Sequence, residues 1–87
     1  MTRPADDPVG RRFGLVLSGD EDRRERGCKA LVSDGFDVLA FLDAGSVQAW
    51  LEEDTPEIAI IDDGAGRGSE IVADILERRG VRIMPLA

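Results

Sequence analysis

The sequence predicts an α/β protein built on a parallel sheet, from three observations. Short runs that are apolar at almost every position recur along the chain, as in strands covered on both faces. Helical spacing of apolar residues follows each of the first three runs, and a glycine or proline closes each helix. The resulting order is βαβαβαβ, in which a helix between successive strands requires right-handed crossovers and strands that run in one direction.

Met1 to Arg12 carries two prolines and mixed charge with almost nothing to bury, and reads as a flexible tail. Phe13-Gly14-Leu15-Val16-Leu17 reads as the first strand, and Ser18 or Asp20 as the cap of a helix reaching about Asp34. That helix has a thin apolar stripe of Gly27, Cys28 and Leu31, and Gly35 supplies the left-handed residue that turns the chain back. Asp37 to Leu42 is the second strand; Ser46 is expected to cap a short helix with Val47, Trp50 and Leu51 on its buried side, ended by Thr55-Pro56. Glu57 to Asp62 is the third strand, with Ile58 and Ile60 on one face and Ala59 and Ile61 on the other. Ser69 is expected to cap the third helix, whose stripe is Ile71, Val72, Ile75 and Leu76, and Gly80 leads into a fourth strand from Val81 to Met84. Cys28 and Trp50 read as core residues.

Composition narrows the function. At 87 residues the chain is one domain, burying ~60–65% of its unfolded surface and stable by ~4–13 kcal/mol. No apolar run is long enough to span a bilayer, and the start lacks the apolar core of a secretion signal. Eighteen acidic against eleven basic residues give a net charge of −7, which disfavours nucleic acid. A single cysteine fits a reducing cytoplasm, and the lack of histidine removes Ser-His and Cys-His catalysis and zinc sites by inventory.

In open parallel sheets chemistry gathers at the carboxyl ends of the strands. There the sequence places Ser18-Gly19-Asp20, Asp43-Ala44-Gly45 and Asp62-Asp63-Gly64. Asp62 is the candidate for accepting a phosphoryl group or ligating Mg²⁺, against the plainer reading of a turn. The glycine-rich run Gly64 to Gly68 invites a phosphate-cradling role. It lacks the sixth-position Gly or Ala of a dinucleotide fingerprint and the Lys-Ser or Lys-Thr of a P-loop, so a plain loop is the stronger reading.

Phe13 to Ala87 resembles the first four strand–helix units of a response-regulator receiver domain, the phosphoacceptor module of two-component signalling. The resemblance rests on Gly35-Phe36-Asp37-Val38, the turn into the second strand, and on Thr55-Pro56-Glu57-Ile58-Ala59-Ile60-Ile61-Asp62, the run that ends in the phosphorylated aspartate. It implies a three-layer flavodoxin-like domain over residues 13–87, with sheet order 2-1-3-4 and Asp62 as the phosphoacceptor-like residue. The family's Mg²⁺-binding acid pair falls on Ser18 and Gly19, with Asp20 one place late, so Asp20 and Asp62 remain as weak metal ligands. Its sensing Thr or Ser falls near Leu86. The units that would follow the fourth strand, with their lysine, have no counterpart here, and Lys29 is the only lysine. Mg²⁺ is thus expected to bind weakly and phosphorylation to be weak or absent.

A sheet cut short is also expected to leave the fourth-strand edge (Val81, Arg82, Ile83, Met84) open and two or three large apolar side chains bare, each forfeiting ~1.5–3 kcal/mol. The expected function is therefore association in signalling, as a homodimer or with a partner protein. Two alternatives are a working phosphoacceptor served by a histidine kinase with Mg²⁺, and a small phosphate or nucleotide binder using Gly64 to Gly68. No enzymatic activity, nucleic acid or membrane enters the expectation.

Overall fold

A computed structural model describes residues 12–62 and 66–85. The elements are β1 (Phe13–Leu17), α1 (Glu21–Ser33), β2 (Asp37–Phe41), α2 (Ala44–Leu51), β3 (Ile58–Ile61), α3 (Ser69–Arg78) and β4 (Arg82–Pro85). They form one four-stranded sheet in the order β2-β1-β3-β4, with every pair parallel. This is the flavodoxin-like arrangement: α1 covers one face, and α2 and α3 cover the other.

The sheet has two unequal cores. On the larger, Leu15, Leu17 and Ala59 meet Val47 and Leu51 of α2 and Val72 and Leu76 of α3, with Trp50 half-buried at the margin. Trp50 packs edge-on against Phe13 at 5.7 Å between ring centroids. On the smaller, Val16, Ile58 and Ile60 meet Leu31 of α1, with Cys28, Phe36 and Val38 packed around them. Helix α1 comes close because it carries glycine there: a Cβ on Gly27 would stand 3.0 Å from Val16 Cγ1.

That approach covers the third strand on this face: Ile58 and Ile60 are 2% and 4% exposed, as a strand covered on both faces requires. Of the β4 residues on their face, Arg82 is exposed and Met84 is 38% exposed.

Other differences are local. Asp43, not Ser46, caps α2: its carboxylate accepts the Ser46 N–H at 2.8 Å, so Ala44 and Gly45 join the helix. Gly68, not Ser69, caps α3; it is left-handed at φ 91°, and Ser69 is the first helical residue. Asp20 rather than Ser18 caps α1. Strand β2 ends at Phe41, leaving Leu42 exposed, and as an edge strand has no fully buried residue. Ile71 is exposed because the buried stripe of α3 is centred on Val72 and Leu76. Most of the expected tail lies outside the described residues. Arg12 does not behave as tail: its guanidinium stands 4.6 Å from the Phe36 ring centroid, and its Nε donates to Glu57 at 3.4 Å.

Candidate functional site at the carboxyl end of the sheet

Strand β1 lies between β2 and β3, and the chain leaves it in opposite directions, so the order switches at its carboxyl end. Ser18 sits there, fully buried; its N–H donates to Phe41 O at 3.1 Å, while the Asp62 N–H donates to Leu17 O at 2.9 Å. These bonds extend the ladders on both sides of β1 and bring Ser18 beside Asp62.

The Asp62 carboxylate is 3% exposed as a residue and held from two elements. Ser18 Oγ donates to Asp62 Oδ2 at 2.9 Å, and Arg23 Nη1, from the first turn of α1, donates to Asp62 Oδ1 at 2.9 Å. Ser18 Oγ also accepts the Asp20 N–H at 3.1 Å, and Arg24 Nη1 donates to Ser18 O at 3.1 Å. Asp20, exposed, places Oδ1 2.9 Å from the Arg23 N–H as the helix cap. Serine thus supplies a neutral hydroxyl, and α1 supplies the positive charge.

This arrangement does not fit Mg²⁺. The ion requires near-octahedral oxygen ligation and usually keeps several waters. Here each Asp62 oxygen has a protein donor, Asp20 serves as a cap, and the remaining position is a serine. Among the described residues no group of three acidic, cysteine or histidine side chains is placed to hold a metal. Arginine at the site was missed by sequence reading; its signal was a cation at the third position of a helix, where the helix dipole disfavours it.

The rest of the glycine-rich run splits. Gly64 and Ala65 lie outside the described residues, as do Asp63 and Leu86. Gly66 and Gly68 both have left-handed φ, at 90° and 91°, and Ser69 Oγ donates to Gly66 O at 3.0 Å.

Beside the site an open groove of about 770 Å³ runs between the start of α3 and the ends of β3 and β4. Asp62, Ser69, Glu70, Ala73, Ile83 and Met84 contribute to its lining, with Arg67 at the loop that precedes α3. It borders the β4 edge. The register pairs Arg82 with Ile58 and Met84 with Ile60, and the Arg82 N–H points to Glu57 O, so the alternate residue Ile83 turns its N–H and C=O outward. Val81, the next outward residue, is buried and spends its N–H on Leu76 O at 2.9 Å, and Pro85 has no N–H. The Val81–Met84 edge thus offers a single outward donor. No helix among the described residues is long and apolar enough to cross a membrane.

Compared with protein families, with curated proteins and with solved structures, the chain has no match.

Proposed function

We propose that this chain is a receiver-like signalling module that works by protein–protein association, with a second copy of itself as the occupant of the β4 edge, and that Asp62 serves it as structure. The supporting observation is the edge itself. Ile83 presents one outward donor and one outward acceptor beside half-exposed Met84 and an open groove. A twofold copy laid antiparallel would exchange both bonds between Ile83 and its counterpart, which is the self-complementary geometry a symmetric pair requires. Two edge bonds at about 1 kcal/mol each, plus a small apolar contact, make a weak dimer.

Sedimentation equilibrium over a concentration series tests this. Reversible dimerisation is expected, weakened at least tenfold in Met84→Glu. A folded monomer at every concentration overturns the self-association. The rival reading, a phosphoacceptor, draws on the position of Asp62 at the switch in strand order and on its place in the groove wall. It predicts amide shifts around Asp62 with Mg²⁺ and beryllofluoride that vanish in Asp62→Asn.

A further inference from the structure

The sheet has a second edge, and it is built differently from β4. The Asp37 N–H donates to Arg12 O at 2.8 Å, and Phe41 O accepts the Ser18 N–H at 3.1 Å. Asp37, Leu39 and Phe41 therefore turn their backbones toward β1, and the alternate residues Val38 and Ala40 turn theirs outward. Among the described residues nothing takes up those outward donors and acceptors. Sheet edges are ordinarily blunted by lysine, proline or a bulge, and this one is not. Every residue from Val38 to Leu42 is apolar, and the register with β1 runs unbroken from Asp37 to Phe41. Apolar ground flanks it. Leu42, just past the strand, is 59% exposed, and Val32 is 60% exposed one helical turn beyond Cys28, which shares the α1 core with Val38.

Charge decides the occupant. From Ala30 to Gly66 the chain carries many acidic residues but neither lysine nor arginine. Both ends of β2 are acidic, with Asp34 before the strand and Asp43 after it. Among the described residues neither forms an ion pair; Asp43 only caps α2, and as a carboxylate it keeps its charge there. A second copy laid on β2 would set acid beside acid at both ends, whereas a basic strand would be drawn in. We propose that the β2 edge is a docking strand for a basic, extended segment of another protein. The segment adds antiparallel through the Val38 and Ala40 backbones, its apolar side chains on the Val32 side and its lysines or arginines beside Asp34 and Asp43. This edge is at the opposite end of the sheet from β4, so docking here goes beyond the pairing proposed there.

The whole chain is titrated into the fluorescein-labelled peptide Lys-Lys-Val-Thr-Val-Thr-Val-Lys-Lys, with amide shifts of the protein read by NMR. Binding at low salt is expected, with the largest shifts from Val38 to Leu42 and an affinity that falls as NaCl rises. N-methylating the valines, which would face Val38 and Ala40, is expected to weaken binding about tenfold or more, and N-methylating the threonines to change it by less than about twofold. That two-residue alternation separates a paired strand from simple charge attraction. Ala40→Pro removes an outward donor and no ladder bond, and is expected to weaken the peptide about fivefold. If that variant fails to fold, the two N-methylated peptides still decide. No binding at about 1 mM peptide overturns the proposal, as do equal affinities of the two N-methylated peptides or shifts confined to β4. Self-association of Met84→Glu that Ala40→Pro abolishes also overturns it, because a second copy is then the occupant of β2.

Discussion

Cys28 is half-buried against the α1 core, and that burial pushes its thiol above the ordinary 9.0; Arg24 opposes the shift and Glu25 adds to it. The folded chain therefore keeps the proton to higher pH than the unfolded one. The thiol's contribution is fully present below about pH 9, and falls as pH rises from there through the raised folded value. Urea unfolding across this range should show a decline that Cys28→Ser lacks. At the Asp62 cluster the two ends of one ion pair should be unequal. Removing Arg23 takes the ion-pair partner from a buried carboxylate that keeps its bond from Ser18 Oγ, whereas removing the charge of Asp62 releases a guanidinium already half in water. Arg23→Gln is expected to cost about 3 kcal/mol and Asp62→Asn about 1 kcal/mol by urea unfolding. The position of Asp62 was legible, because an apolar run ending in Asp marks a strand exit. Its partner was not: a long side chain that leaves α1 to reach β3 produces no periodic pattern in sequence.

Gly14 shows how closely the elements meet. A Cβ there would stand 2.8 Å from Leu31 Cδ1 and 3.2 Å from Phe36 Cβ, and Leu31 is itself buried. Gly14→Ala is expected to cost about 2 kcal/mol, read as a lowered urea midpoint with unchanged slope. On the opposite face Arg79 ties the end of α3 to the segment after α2. Its Nη1 lies 2.9 Å from Leu51 O, 3.2 Å from Asp54 O and 2.9 Å from Thr55 Oγ1. Arg79→Ala should lower stability by about 1–2 kcal/mol, with amide exchange quickening first at Glu52 to Thr55. The seven elements were legible from apolar runs and punctuating glycines. The caps of α2 and α3 were misplaced because Asp43, Ser46, Gly68 and Ser69 are all acceptable near a helix start, and only backbone geometry chooses among them. That β2 lies at an edge followed from the expected order 2-1-3-4, which the sheet bears out; Val38, Leu39 and Phe41 by themselves read like a strand covered on both sides.

For the whole molecule charge would set the conditions of the proposed association. Each copy carries −7, so the proposed pairing would bring like charges together, and added salt should strengthen it by screening that repulsion. A sedimentation series in rising NaCl reads this, and weakening with salt would contradict it. The strand order bears on something else, the path by which the chain reaches its shape. Strand β1 is first in the chain yet central in the sheet, and both its neighbours come later, β3 only at Ile58–Ile61. During synthesis Leu15, Val16 and Leu17 must wait for more than forty residues before their second flank arrives. Refolding should therefore be slower than in a helical bundle of equal length, with no stable half-way fragment. A chain stopped before β3 is left sticky and exposed to proteases.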